Sequence, residues 1–254
     1  MDKCEVWWSS VPRTGEGMAT SLAMAEAHLY FADLDECARQ PTVQCVLGES
    51  ERRRSQAMTE PLQRARFITA RTLLREQLAR YTSCAAEILH FEILPHGKPQ
   101  LSPALPRLSF NVSHAGPVWL LGVSSEETLG VDIERKRPLS NMLRLAQRVF
   151  SDAEQAELIA IKDHAEQEQA FLRGWTRKEA ALKALGTGFS LPARRVHVGL
   201  AEGGCFRCSL DSTETLYVYS GITEESFFWS VAAPSPLKSL KAFRLTCHDY
   251  DSHA

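Results

Sequence analysis

Leu129-Gly130-Val131-Asp132-Ile133-Glu134 reads as a β-strand, and at it the order of elements along the chain begins again. Successive strand residues point to opposite faces. Leu129, Val131 and Ile133 therefore share a face suited to a core, while Gly130, Asp132 and Glu134 share the other. The second face sets two carboxylates side by side, next to a glycine that leaves room for something to approach.

Outward from this strand the two halves read alike. Upstream, the pattern predicts a strand over 29–34, helices over 49–58 and 61–81, and strands over 88–93, 108–112 and 118–123. Downstream, it predicts helices over 141–150, 152–162 and 166–185, then strands over 196–200, 205–210, 216–219 and 227–232. Pro61 stands at a helix-start position, and Ser151 with Glu154 forms a capping box. Each half runs strand, helices, strands, without residue-level repetition. The expected fold is α+β, in two similar lobes spanning 1–127 and 128–254 and joined near 124–128.

Composition excludes several classes of function. Lysine and arginine total 29 against 31 acidic residues, a formal charge of −2, which does not suit a protein that coats nucleic acid. With 44% hydrophobic residues the chain is expected to fold rather than stay disordered. The most apolar run, Val118-Trp119-Leu120-Leu121-Gly122-Val123, is far short of the roughly 20 residues that span a bilayer. No basic segment followed by an apolar one opens the chain, so a cytoplasmic location is expected. The 7 cysteines read as reduced thiols, and the Cys205/Cys208 CxxC as a strand whose two thiols face opposite ways.

Paired carboxylates repel, so Asp132 and Glu134 are cheap to juxtapose only in open solvent or around a cation. Mg²⁺ suits them, taking one or two protein carboxylates and completing its shell with water and phosphate oxygens. A partner lies in 171–185, where Phe171, Trp175, Leu182 and Leu185 form an apolar helical stripe. Glu179 and Lys183, four apart, flank that stripe; they read either as a surface ion pair or as part of a site. Lys178 projects into the stripe and must snorkel or meet an anion. Three carboxylates and two lysines together match a metal-bound diphosphate.

Two further segments carry polar chemistry. Phe110-Asn111-Val112-Ser113-His114-Ala115-Gly116 ends a strand in a small-residue turn with hydrogen-bonding side chains. Residues 51–80 hold 8 arginines against Glu51, Glu60 and Glu76. Arg64, Arg71 and Arg75 fall on one helical face, read as a solvated basic face or as one that meets an acidic or phosphate-rich ligand.

In combination these segments resemble the 4′-phosphopantetheinyl transferases of the surfactin-synthetase-activating (Sfp) type. The resemblance runs through Gly97-Lys98-Pro99-Gln100-Leu101, Phe110-Asn111-Val112-Ser113-His114, Gly130-Val131-Asp132-Ile133-Glu134 and Trp175-Thr176-Arg177-Lys178-Glu179-Ala180-Ala181-Leu182-Lys183. It implies a pseudo-dimer of two lobes, each an antiparallel sheet packed by helices, with the site in the cleft between them. It implies transfer of the phosphopantetheine arm of coenzyme A to a serine of an apo carrier protein, releasing adenosine 3′,5′-bisphosphate. A metal-dependent hydrolase of a coenzyme A diphosphate is the alternative that would share the acids.

By the same resemblance, Asp132, Glu134 and Glu179 would hold Mg²⁺ (or Mn²⁺), with apolar Ile133 leaving the two outer acids as the strand's ligands. Glu179 would act as base, Lys183 on the leaving bisphosphate, and Lys178 on the diphosphate. Lys98 and Pro99 would flank the adenine. Ser113 and His114, with Arg71, Thr72 and Arg54 from the first lobe, would reach the 3′-phosphate. Implied partners are acyl, aryl or peptidyl carrier proteins of fatty-acid, polyketide or peptide synthases, met by a monomer, with no nucleic acid or membrane.

Overall fold

The computed structural model describes residues 6–12, 21–39, 46–94, 97–186, 191–203, 205–210 and 214–246. The first half carries β1 (Val6–Pro12), β2 (Glu26–Asp33), α1 (Leu34–Ala38), α2 (Glu49–Gln56), α3 (Pro61–Thr82), β3 (Phe91–Ile93), β4 (Pro99–Leu101), β5 (Ser109–Ala115) and β6 (Val118–Ser124). The second carries β7 (Gly130–Arg135), α4 (Met142–Val149), α5 (Asp152–Ala160), α6 (His164–Leu185), β8 (Val196–His197), β9 (Cys205–Leu210), β10 (Glu214–Ile222), β11 (Phe227–Ala233) and β12 (Ser239–Thr246).

The fold is α+β, with helices packed on two sheets, the second antiparallel as expected and the first antiparallel only over β2, β6 and β5. One five-stranded sheet is ordered β1-β12-β2-β6-β5 and the other β7-β11-β10-β9-β8. The second is antiparallel throughout. In the first, β2, β6 and β5 are antiparallel, while β12 and β1 add two parallel junctions at its far side. The last strand thus returns to the first sheet, so the second half of the chain contributes to both.

Burial explains the layering. Leu29, Phe31 and Leu120 of the first sheet meet Val131, Ile133, Trp229 and Val231 of the second in one core. The outer face of the first sheet, with Tyr30, Trp119 and Leu121, is covered by Leu73, Leu74 and Leu78 of α3. The outer face of the second, with Val218 and Ala232, is covered by Ala180, Ala181 and Ala184 of α6. The order is helix, sheet, sheet, helix. β2 is buried on both faces along nearly its whole length, as a strand between two apolar layers must be.

Local signals place the helices. Glu60 caps α3 ahead of Pro61, Ser151 and Glu154 form the expected capping box on α5, and Gly186 ends α6 in the left-handed region at φ 65°. Cys205 and Cys208 are free, as read from their strand. Cys37 is disulfide-bonded, which corrects the reading of all the thiols as reduced. No helix among the described residues is long and apolar enough to cross a membrane.

Candidate active site

β7 is an edge strand of its sheet and β5 an edge strand of the other. The two edges face one another without a backbone ladder, and the candidate site lies along this seam. α6 crosses β7 on the outer side at Gly130. A Cβ there would stand 2.0 Å from the carbonyl oxygen of Ala180 and 2.4 Å from the amide nitrogen of Ala184. What approaches the glycine is therefore the backbone of α6, and that contact brings Glu179 and Lys183 to the carboxylate face of β7.

Asp132 is 5% exposed. Its Oδ1 accepts hydrogen bonds from Ser113 Oγ at 2.8 Å and Lys183 Nζ at 2.7 Å. Lys183 Nζ also donates to Val131 O and Ser113 Oγ, each at 3.0 Å. Asp132 Oδ2 is buried with no hydrogen-bond partner among the described residues. Burial pushes the Asp132 carboxyl above the usual range, against the pull of Lys183 and Ser113. Glu134 is raised by burial and then by the Asp132 charge, while a hydrogen bond from Trp175 works the other way. Glu179 is raised by burial and again by Asp132.

Asp132 thus repels both Glu134 and Glu179 in a half-buried seam with Lys183 as close counter-charge. Among the described residues they are not drawn into a ready-made cage. The donor set still fits a hard divalent cation: all oxygen, excess negative charge, and one buried carboxylate oxygen without a partner.

Several other expected residues stand elsewhere. Lys178 does not reach the seam. It is 1% exposed, bridges Glu154 at 2.8 Å, and donates to Ala193 O at 3.0 Å and to Val196 O. One residue along a helix turns the side chain about 100°, so Lys178 faces the lobe interior while Glu179 faces β7. Its anion is a protein carboxylate instead of a diphosphate, which corrects the reading of a cofactor contact. Burial lowers its pKa, against the attraction of Glu154.

Thr72 is fully buried, and its Oγ1 accepts from Val46 N at 3.3 Å. It holds the segment before α2 and presents no surface to solvent. The basic face of α3 is also partly internal. Arg75 bridges buried Glu51 at 2.6 Å and donates to Ala86 O and Leu89 O. Arg71 is half-buried, bridged to Glu51 at 3.0 Å, with its guanidinium over the Phe91 ring. Arg54 is exposed, over Phe67.

Ser113 and His114 point to opposite faces of β5, as neighbours on a strand do. Ser113 is buried against Asp132 and His114 is exposed. Lys98 is held in a β3–β4 hairpin, where Gly97 N donates to Leu94 O and Leu94 N to Lys98 O. Its Nζ donates to Leu129 O and Lys183 O, each at 2.9 Å, and burial lowers its pKa to about 8. Lys98 and Pro99 line a cavity of about 610 Å³ between β4, the 102–110 segment and 125–128.

Two side chains singled out in the sequence take further roles that it did not show. Asn111 Oδ1 accepts from Val131 N at 2.9 Å, tying the two sheet edges. Glu154 reads from sequence as a helix cap alone, yet it is also the counter-ion of Lys178. The Asn had a signal, its position two residues before Ser113 on the same strand face. The Glu–Lys pair had none, because 24 residues separate its members.

The 4′-phosphopantetheinyl transferase superfamily model matches residues 128–232, which takes in β7 and α6. Over 172 residues the chain is 32% identical to the 4′-phosphopantetheinyl transferase Sfp of Bacillus subtilis, covering 67% of this chain and 75% of that protein. It is 33% identical over 173 residues to the 4′-phosphopantetheinyl transferase HetI of Nostoc, covering 67% and 73% respectively. A putative 4′-phosphopantetheinyl transferase of Synechocystis is 37% identical over 151 residues, and the match spans 61% of its length and 59% of this chain.

Proposed function

This chain belongs to the 4′-phosphopantetheinyl transferase superfamily, and from that premise we propose that it moves the phosphopantetheine arm of coenzyme A onto a serine of an apo carrier protein. The observation that carries the reading is the seam at Gly130, where the acids of β7 meet Glu179 and Lys183 of α6. In the finer assignment it is a holo-acyl-carrier-protein synthase reaction, producing adenosine 3′,5′-bisphosphate and the holo carrier.

Asp132, Glu134 and Glu179 would hold a divalent cation, Mg²⁺ or Mn²⁺. When bound, such an ion disperses charge on diphosphate oxygens. The chain's own residues supply the remainder. The serine oxygen forms a bond to the phosphorus that carries pantetheine, and the bond from that phosphorus to the bisphosphate oxygen breaks. Glu179 takes the serine proton. Lys183, held by Asp132 and Ser113, neutralises the departing bisphosphate, a preoriented cation in a partly water-excluded seam. Pro99, His114, Arg54 and Arg71 are assigned to the nucleotide. Arg135, Lys136 and Arg137, exposed directly after Glu134, would steer an acidic carrier of fatty-acid, polyketide or peptide synthesis. A cytoplasmic monomer suits this role.

The test mixes the protein with coenzyme A, Mg²⁺ and an apo carrier protein and weighs the carrier. A gain of one phosphopantetheine, abolished by chelator, is the expected result. Cleavage of coenzyme A with no carrier present and no mass gain would overturn the reading in favour of a hydrolase.

A further inference from the structure

We infer that Lys98 is a positioning residue of the transferase reaction: a strut from the first lobe that sets the register of β7 and the last turn of α6, with Asn111 as its second anchor. The inference rests on the transferase reading above and adds a residue role to it.

The seam explains why a strut is needed. β7 pairs with β11 on one side only, so its other edge presents backbone groups with no ladder partner. A buried peptide group left unpaired is costly. Three side chains satisfy that edge. Lys98 Nζ donates to Leu129 O, Asn111 Oδ1 accepts from Val131 N, and Lys183 Nζ donates to Val131 O. Two of the three come from the first lobe, and they grip β7 and the residue that leads into it, within three residues of Asp132.

Lys98 also binds Lys183 O. This carbonyl belongs to the last turn of α6, where carbonyls lack helical donors and a cation is favoured by the helix dipole. One ammonium thus joins the start of the carboxylate strand to the end of the helix that bears Glu179 and Lys183. Two of its three N–H bonds are committed to these carbonyls. Without it, the shared core and the contact at Gly130 would still hold the lobes and pack α6 on β7, but the start of β7 and the end of α6 would lose their common tie to the first lobe. The hydrogen bonds among Asp132, Ser113 and Lys183, all of 3.0 Å or less, would lengthen as those two segments moved.

The test compares Lys98→Met, Lys98→Arg and Asn111→Ala with wild type. It follows carrier mass gain against coenzyme A concentration and measures amide exchange of the intact proteins. Lys98→Met is expected to lower kcat by roughly 10- to 100-fold, the scale of a displacement near 1 Å, with KM for coenzyme A within about twofold. Amide exchange in 129–135 and 183–186 should accelerate while α3 stays protected. Lys98→Arg, which can still reach both carbonyls, should recover part of kcat. Asn111→Ala should accelerate exchange at Val131 and lower kcat in the same sense, and it decides the matter should Lys98→Met fail to fold. A rise in KM with kcat and exchange unchanged would overturn the inference, making Lys98 a ligand contact of the cavity it lines. A wild type that modifies no carrier would defeat the transferase reading instead, while exchange along β7 would still report whether the strut exists.

Discussion

Replacing Gly130 with alanine tests whether the meeting of β7 and α6 creates the site. The new Cβ would lie 2.0 Å from Ala180 O, 2.4 Å from Ala184 N and 3.0 Å from the Lys183 carbonyl carbon. Comfortable contacts begin near 3.5 Å, and the obstructing atoms are helix backbone that cannot rotate away. α6 must therefore withdraw by more than about 1 Å. The Lys183–Asp132 bond, now 2.7 Å, would stretch beyond the range of a hydrogen bond. Overpacking of this kind costs about 1–3 kcal/mol, and the smaller unfolded-state benefit of alanine, about 0.4–1 kcal/mol, does not offset it. The net cost is about 1.3 kcal/mol at mid-range, and for a chain of this size each kcal/mol shifts Tm by about 2–4 °C, so a fall of about 3–5 °C is expected. The displacement should also slow transfer by about 100-fold. Thermal unfolding by circular dichroism and the initial rate of carrier mass gain measure the two effects. A variant with wild-type Tm and wild-type rate would refute the claim that this close approach builds the site.

Glu179→Gln removes a half-buried carboxylate that Asp132 repels, so the metal-free variant should unfold at or above the wild-type Tm while losing most transfer activity. Wild type should gain stability on adding Mg²⁺, about 2.7 kcal/mol at a hundredfold excess over Kd, read as a rise in Tm, and the variant should gain little; equal Mg²⁺ responses would contradict the ligand assignment. Glu154→Gln leaves the buried Lys178 ammonium without its counter-charge and should cost about 3–5 kcal/mol, whereas Lys178→Met should leave KM for coenzyme A unchanged. A large KM increase in Lys178→Met would restore the diphosphate role. The chain should also be acid-labile through β2. Burial lowers the His28 pKa despite its bond to Glu26, so the folded state resists its protonation and stability falls as pH drops below about 6.5. Glu26 is pulled upward by burial but taken down to about 2 by Lys241, Ala23 N–H and His28, so its contribution disappears as pH falls from about 4.5 towards 2. His28→Gln should flatten the first of these losses in urea titrations run at several pH values; an unchanged profile would show that His28 titrates as if unfolded.

Much of this was legible in local pattern. Alternation in Leu129–Glu134 correctly separated core residues from carboxylates, because an edge strand between a core and a helix obeys the period of two. Helical spacing placed Glu179 and Lys183 together, and the Ser151 cap marked α5. Less was legible where partners lie far apart in sequence. The 239–246 strand went unread, because its pairing with β2 and β1 joins the ends of the chain. The basic face of α3 was overstated, since only the fold reveals that Arg75 and Arg71 both meet Glu51. For Lys178 periodicity left two outcomes, snorkelling or an anion, and only the fold shows that it meets Glu154.

By itself the sequence determined the kinds of chemistry available and the elements that carry them: two carboxylates on a strand, a carboxylate and a lysine on one helical flank, a doubled order of strands and helices. These follow from residue type and from the periods 2 and 3.6, which act over a few residues. Tertiary structure alone decided which charges face each other. Packing against Gly130 turned Glu179 and Lys183 to the seam and Lys178 inward, and the unpaired edge of β7 drew Lys98 and Asn111 across from the other lobe. Burial then fixed the outcome, since a charge removed from water is tolerable only beside its partner.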